Sequence, residues 1–571
     1  MGFNLNIMVG GEAGQGVQSM GFILAKTFAR SGYHVFADQD YESRIRGGHN
    51  FFRIRISDKP VGAVIEEVDI LLALNQETVP LHRREMSAGG VVIFDGEVIK
   101  DIASGPGLLA VPLADLAEKS GGKVMANVVA LGVTMSLLDY GLDFLNEALL
   151  ERFGSGDKGQ GNLKAAAAGY QYARENFTKD FKIKLKPKKG QARPLMNGNE
   201  ALCLGAIAAG CTFLSAYPMT PATPIMEYMA AKADELGMVV IQTEDEIAAI
   251  NVAIGAGFAG ARAMTATSGS GFCLMVEGLG LAALTETPIV IVDGQRPGPA
   301  VGLPTRTEQG DLQFVLHAHH GDNPRAVLAP ASIEDAFWVT ARAFNYAEKY
   351  QIPVIILTDH YLATVYATVE EFDLSRVTID RGELLTDAEV AKLKNYKRHK
   401  VTPSGVSPRA LPMQGKALVV TDADEHNEAG HLTESASDRN QQLSKRLRKL
   451  ESLQKEIKPP RIYGPPQATV SLIGWGSSYG ALKEAVDILQ EEGISANLLH
   501  LNELWPFPAA PVDKFMAGAG HSLVVESNAT GQLARLIRME TGRKADGNIL
   551  RFDGRPQTPA SIVGQVKKEV A

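Results

Sequence analysis

Three kinds of side chain in the middle of the sequence have the types and spacing for chemistry. In Thr243-Glu244-Asp245-Glu246-Ile247-Ala248-Ala249, acids open a helix, where the helix dipole favours them. Glu246 precedes an almost wholly apolar run over 247–256. Its carboxyl is therefore expected to be partly buried, able to share a proton with a ring nitrogen; Glu244 is the alternative. Thr220 lies in Tyr217-Pro218-Met219-Thr220-Pro221-Ala222-Thr223-Pro224, where the prolines fix φ and hold the preceding residues extended. A stiff loop can aim a side chain, and the Thr220 hydroxyl can donate or accept a hydrogen bond. A rigid turn that merely starts the next helix is the competing reading. Arg296 and Arg306 stand in Gly/Pro-rich loops after an apolar run at 289–292. They suit bidentate carboxylate binding, or ion pairing with Glu308 or Asp311.

The elements that must position these residues follow from the hydrophobic pattern. Strands are expected over 212–216, 239–242, 262–266, 289–292, 326–328 and 354–357, alternating with helices, among them 200–209, 225–236, 245–256 and 333–348. Continuous Val/Ile strands alternating with helices imply an α/β fold with a parallel sheet covered on both faces. Such sheets take ligands at the carboxyl ends of their strands, which is where the proline loop, the arginine loops and Thr265-Ala266-Thr267-Ser268-Gly269-Ser270-Gly271 all fall. Ser268 and Gly269 there open a further strand-to-helix turn with exposed N–H groups.

The N-terminal region reads as a strand over 5–9, a turn over 10–16 that includes Gly14 and Gly16, a helix over 17–31 and a strand over 34–37. A glycine turn at a helix N-terminus suits phosphate, although the dinucleotide pattern Gly-x-Gly-x-x-Gly fails at Ser19. Asp38 sits about where a ribose-binding acid would lie. Arg44, Arg46, His49 and the glycine turn together could form an anion pocket, while Arg53 and Arg55 share one face of a strand, with solvation the default. Residues 182–190 form a basic linker. The pattern weakens over 371–466, where Lys445-Arg446-Leu447-Arg448-Lys449-Leu450-Glu451 reads as an exposed helix on an arm. A last α/β region begins near 467.

The 571 residues exceed one core, and 57 basic against 65 acidic residues give a net charge of −8. That balance argues against nucleic acid or an anionic membrane surface as main partner. The three cysteines, Cys203, Cys211 and Cys273, cannot supply a disulfide framework or a self-contained zinc or iron–sulfur site. No run is long and apolar enough for a membrane span and the start lacks a basic leader, so a soluble cytoplasmic protein is expected.

Taken together, the proline loop at 217–224, the acidic helix start at 243–249, the turn at 265–271 and the arginine loops resemble the α subunit of 2-oxoacid:ferredoxin oxidoreductases. Gly11-Glu12-Ala13-Gly14-Gln15-Gly16 and Ser43-Arg44-Ile45-Arg46-Gly47-Gly48 resemble that family's γ subunit fused ahead of it, with Ala13 standing where the family has glycine. The resemblance implies a γ-type domain over 1–181, a linker over 182–196, a pyrimidine-binding thiamine-fold domain over 197–370, an arm over 371–466 and a transketolase C-terminal-like domain over 467–571. It implies that Glu246 protonates the aminopyrimidine of thiamine diphosphate, with Ser268 and Gly269 also at the cofactor. Thr220, Tyr217, Pro218 and Arg296 or Arg306 would bind the 2-oxoacid, and Gly14 and Gly16 would lie near coenzyme A. A β subunit would supply Mg2+, the diphosphate grip and a [4Fe-4S] cluster in an α2β2 assembly that reduces ferredoxin. 2-Oxoglutarate is the expected substrate, with pyruvate or a branched-chain acid the alternatives. A non-catalytic nucleotide-binding subunit and a non-oxidative thiamine decarboxylase partner are the readings of other classes.

Overall fold

The computed structural model describes residues 3–44, 47–100, 102, 107–177, 181–188 and 192–570, and the chain divides into two compact units. The first holds residues up to Met196 together with Thr364–Glu371; the second holds Asn197–Ala363 and Phe372–Ala571. Among the described residues, no helix is long and apolar enough to cross a membrane.

The first unit is built on a mixed sheet, in spatial order Leu108–Val111, Met86–Asp95, Val68–Ala73, Asn4–Ala13, Gly47–Ser57, His34–Asp40, Tyr366–Thr368 and Leu195–Asn197. The first strand runs on to Ala13, so the turn is confined to the three residues after it. Gly14 and Gly16 take φ of 93° and 82°, backbone that a side chain disfavours, and Asn127 Nδ2 donates to Gln15 O at 2.6 Å. Arg53 and Arg55 are buried rather than solvated. Arg53 forks onto Asp38 with bonds of 2.9 and 2.7 Å, and Arg55 donates to Asn4 Oδ1 and Ala63 O. Asp38 is thereby committed to its arginine. Of the residues expected to form an anion pocket, Arg46 lies outside the described residues. Arg44 is exposed and paired with Glu42. His49 bonds His82 ring to ring at 2.7 Å, and burial, then the His82 ring, lowers its pKa to about 4.

The second unit carries two sheets. The larger runs Glu503–Trp505, Ala326–Leu328, Pro353–Asp359, Ile289–Gln295, Ala263–Thr267, Phe213–Ala216 and Val239–Gln242. All pairings are parallel except that of Glu503–Trp505 with Ala326–Leu328. The inner strands are buried on both faces, as helices on each side require. The smaller sheet runs Arg461–Tyr463, Ala496–Leu501, Val470–Trp475, His521–Glu526 and Gly547–Leu550. Apolar residues of the two sheets share one core, where Ile291 and Leu357 meet Trp475, Leu499 and Val524.

The charged run at 445–451 belongs to helix Ala436–Gln454, whose Ser435 cap accepts from Asp438 N. Two of its lysines point inward. Lys445 and Lys449 are fully buried and both pair with Glu286, while Lys445 also donates to His399 O and Ser407 Oγ and Lys449 to Gln351 O. Spaced by four, they fall on one helix face with Gln442, Arg446 and Leu453, all buried. Although burial opposes its charge, these ammonium groups hold the Glu286 carboxyl well below the usual range. Glu348 plays the same part elsewhere, gathering Arg262, Arg381 and Arg409. The region at 371–466 is thus ion-paired into the second unit. Glu286→Gln, which leaves two buried ammonium groups without their counter-charge, is expected to destabilise the protein by about 3–5 kcal/mol, read from the urea unfolding midpoint.

Candidate active site at the carboxyl ends of the central strands

Glu246 begins helix Glu246–Phe258, capped by Asp245 Oδ1, which accepts from Ala248 N at 2.7 Å. Thr243 fixes the approach to this helix. Its N–H donates to Ala216 O at 3.0 Å and its hydroxyl to Asp245 O at 2.9 Å, which ties the helix start to the last residue of the strand that feeds the proline loop. Glu246 is 3% exposed, whereas Glu244 faces solvent. Its Oε1 is buried with no hydrogen-bond partner among the described residues. The carboxyl reaches this place because residue 271 is glycine: a Cβ there would lie 2.1 Å from Thr267 Oγ1 and 2.6 Å from Glu246 Oε1.

The proline loop is held from three sides. Thr220-Pro221 is a cis peptide. Ala222 N and Thr223 N donate back to Met219 O, Asn199 Nδ2 donates to Pro221 O at 2.9 Å, and Arg296 Nη1 donates to Thr220 O at 2.8 Å. Arg296 Nη2 also reaches Met219 Sδ at 3.5 Å. Pro221 in turn fills the space over Gly294, where a Cβ would meet it at 3.0 Å and Thr267 O at 3.5 Å. Thr220, Gly294, Thr267, Gly271 and Glu246 therefore form one continuous neighbourhood. Tyr217 is exposed, and Pro218 and Thr220 are half-buried.

Arg296 is 8% exposed, so part of its guanidinium serves the loop itself. Arg306 lies in the next loop, whose Thr307 N donates to Gly554 O and whose Gln309 exchanges backbone and side-chain bonds with Ser527. Both arginines act on His360, which follows the strand Pro353–Asp359. Burial first, then Arg306 and Arg296, lower the His360 pKa to about 4, leaving a neutral imidazole. The sequence reading passed over His360; its signal was position, directly after an apolar strand at the sheet end where the other groups gather.

Further carboxyls stand close by. Ser268 caps helix Gly269–Leu284, its Oγ buried without a partner among the described residues, as are both oxygens of Asp293 and Oδ2 of Asp311. Asp293 ends up beside Thr267 in the parallel register. Asp311 presses on Gly269, where a Cβ would lie 2.5 Å from Oδ2. Burial, then the Asp311 charge, pushes Asp293 well above the usual carboxyl range; burial, then Glu308, raises Asp311 to about 6.

Apolar side chains are exposed on the elements that flank the site. Val239 and Ile241 on the edge strand, Ile247 on the Glu246 helix and Leu274 on the next are all exposed. In the first unit, a separate cavity of about 540 Å³ is lined by Gly14, Gln15 and Gly16, the lysines Lys123 and Lys158, and apolar residues such as Leu113 and Phe153.

Comparison with known proteins bears on all of these regions. The family model described as pyruvate flavodoxin/ferredoxin oxidoreductase, thiamine diphosphate-binding, matches residues 204–445. That of pyruvate ferredoxin/flavodoxin oxidoreductase matches 6–172, and that of pyruvate:ferredoxin oxidoreductase core domain II matches 468–562. The chain is 35% identical to a 2-oxoacid:ferredoxin oxidoreductase subunit alpha of Sulfolobus sp, over 97% of this chain and 95% of the relative. It is 38% identical to the 2-oxoglutarate synthase subunit KorA of Archaeoglobus fulgidus, over 60% of this chain and 90% of the relative. Among solved structures, the 2-oxoglutarate:ferredoxin oxidoreductase from Magnetococcus marinus, with 2-oxoglutarate, coenzyme A and succinyl-CoA bound, matches with a TM-score of 0.94 and 34% identity, covering 100% of both chains. On sequence likeness that extends over nearly its whole length, the chain belongs to the 2-oxoacid:ferredoxin oxidoreductase α-subunit family.

Proposed function

We propose that this chain, with a β subunit, performs the coenzyme A-dependent oxidative decarboxylation of a 2-oxoacid, with 2-oxoglutarate the preferred substrate, or the reverse carboxylation. The reaction balances as 2-oxoacid plus coenzyme A plus two oxidised ferredoxins giving acyl-CoA, CO2, a proton and two singly reduced ferredoxins. The observation that carries this reading is the Glu246 carboxyl, buried with one oxygen unpartnered among the described residues, in the same neighbourhood as the Thr220 loop.

Those residues fit thiamine diphosphate. A buried carboxyl at a helix start matches a ring nitrogen that must be protonated, and Ser268 Oγ is a second polar atom able to serve the same group. When bound, the cofactor supplies the electron sink for loss of CO2. Glu246 holds the proton at the aminopyrimidine nitrogen, and Gly269 and Gly271 keep the ground beside it clear. Thr220 binds the 2-oxoacid through its hydroxyl, flanked by Tyr217 and Pro218. Arg296 holds the Thr220 carbonyl, and its remaining charge with that of Arg306 offsets the substrate's negative charge. His360, neutral between them, offers a hydrogen bond without adding charge. The two arginines favour a dicarboxylate, and the relatives named for 2-oxoglutarate support that choice over pyruvate or a branched-chain acid.

The β subunit would bring Mg2+, the grip on the diphosphate and a [4Fe-4S] cluster, since three dispersed cysteines cannot ligate one. Exposed Val239 and Ile241 on the edge strand, Ile247 next to Glu246 in the chain and Leu274 on the following helix give it apolar side chains to cover, on an edge strand that would otherwise stay open. An α2β2 assembly in the cytoplasm is the arrangement we infer. The first-unit cavity beside Gly14 and Gly16, with its two lysines and apolar wall, suits part of coenzyme A. We read 1–181 as the γ-type domain, 197–370 as pyrimidine-binding and 467–571 as transketolase C-terminal-like.

Glu246→Gln keeps the side chain's size and removes its acidity. Coenzyme A-dependent viologen reduction should fall by about 10²–10⁴-fold, with β-subunit association on a sizing column unchanged; near-normal turnover would refute the assignment. Arg306→Ala should raise KM for 2-oxoglutarate by about tenfold or more while changing KM for pyruvate little, as expected for the loss of one charge-assisted contact. Equal effects on both acids would remove the basis for a dicarboxylate preference. Asp311 provides a pH signature. Its folded pKa of about 6 exceeds the unfolded value near 3.8, so its contribution to stability is lost as pH rises from about 4 through 6. Asp311→Asn should flatten the fall in melting temperature across that window and leave the variant about 1–2 kcal/mol more stable than the parent at pH 7.

A further inference from the structure

Away from the strand ends, helix Ile333–Tyr350 forms one wall of a cavity of about 330 Å³. The segments at 376–378 and 458–461 form the others. Four cationic side chains line it: Arg342, Arg376, Lys458 and Arg461. Two of them are committed. Arg461 Nη2 donates to Asp335 Oδ1 at 2.6 Å and Arg342 Nε to Glu503 Oε1 at 3.0 Å. The two acids are in turn saturated. Asp335 Oδ2 accepts from Ala331 N and Asn502 Nδ2, both at 2.9 Å, and Glu503 Oε2 accepts from Lys458 N and Tyr346 OH.

That leaves two cations over. The Arg376 guanidinium lies 4.8 Å above the Trp338 ring, and neither it nor the Lys458 ammonium has a carboxylate partner among the described residues. Burial, and after it the Arg342 charge, holds Lys458 below the usual lysine range, against the opposing pull of Glu503 and Asp335, the two acids already taken up by Arg342 and Arg461. Like charges converging on one hollow repel, and an anion seated between them relieves the repulsion. Four cations against two carboxylates leave an excess of two, in a chain whose net charge is −8.

We propose that this cavity binds a phosphate-bearing small molecule, its dianionic phosphate or diphosphate seated between Arg376 and Lys458 with Trp338 as the apolar wall. The volume is at the small end of ligand pockets and suits a diphosphate better than a whole dinucleotide. Two unpaired cations match two negative charges, and the guanidinium fork matches phosphate oxygens. None of its lining residues belongs to the Glu246, Thr220 and Arg306 neighbourhood, so the proposal stands whichever 2-oxoacid the enzyme takes.

The test is calorimetric titration of the intact complex, saturated with thiamine diphosphate, using inorganic phosphate, pyrophosphate and ADP as probes, with Trp338 fluorescence followed in parallel. Saturable binding that weakens at least tenfold in the Arg376→Ala/Lys458→Ala double variant, at unchanged melting temperature and unchanged basal turnover, is the expected result. Pyrophosphate matching ADP would assign recognition to the diphosphate alone, and ADP binding more tightly would add its nucleoside. The fluorescence change should disappear in Trp338→Phe. Absence of saturable binding for all three probes, or binding that the double variant leaves intact, would overturn the proposal. So would a site, lost in the double variant, that takes 2-oxoglutarate and none of the phosphates.

Discussion

Burying a carboxyl oxygen without a donor is costly, and the second unit does this at Glu246 Oε1, which has no hydrogen-bond partner among the described residues. Much of the local architecture can be read as the means of sustaining that burial. The helix start adds a favourable dipole, Asp245 rather than Glu246 takes the capping work, and Thr243 pins the turn so that the acid cannot swing out to solvent. Glycine at 271 is the complementary concession from the neighbouring helix, since any side chain there would occupy the same volume as Glu246 Oε1 and Thr267 Oγ1.

The rest of the unit shows what pairing looks like. Glu286 and Glu348 are as deeply buried as Glu246, yet each draws two or three cations onto itself. Removal of one partner from such a cluster is costly while the complete cluster contributes modestly, which makes these acids good fasteners for the segment at 371–466. The division is spatial. Cation-paired acids fasten that segment, whereas Glu246, Asp293 and Asp311, each with at least one buried oxygen lacking a hydrogen-bond partner among the described residues, lie at the carboxyl ends of the central strands or against the turn that follows them. There Asp359, by contrast, accepts from Leu362 N and Ser477 Oγ. Burial without a cation leaves Asp293 and Asp311 raised above the usual carboxyl range.

The α/β class was legible because the strands at 289–292 and 354–357 are unbroken runs of Val, Ile and Leu that only a doubly covered parallel sheet can bury. The proline loop was legible for a local reason, since proline restricts its own backbone and its neighbour's wherever it stands. Properties set by distant partners were not. Lys445 and Lys449 read as solvated because a charge run gives no hint of an acid some 160 positions earlier in the chain. Arg53 and Arg55 carried the same ambiguity until Asp38 and Ala63 supplied their acceptors. The spacing of Lys445, Lys449 and Leu453 did contain the stripe of an inward face, but lysine at two of those positions outweighed it. His360 was missed because a lone histidine has no spacing to recognise.

Arg296 shows why a residue's type and position are insufficient to settle its task. Its guanidinium was placed correctly at the sheet end, but two of its donors point back to Thr220 O and Met219 Sδ. A carbonyl in a proline-rich loop has few internal donors available to it, because each proline has removed one. The arginine therefore repairs a deficit that the loop's own rigidity creates. A substitution there would act first on the aim of Thr220 and only second on charge, whereas Arg306, held by a different loop, can act on charge with Thr220 undisturbed. The two guanidinium groups that look equivalent in the sequence thus differ in that Arg296 also holds the proline loop, while both act on His360.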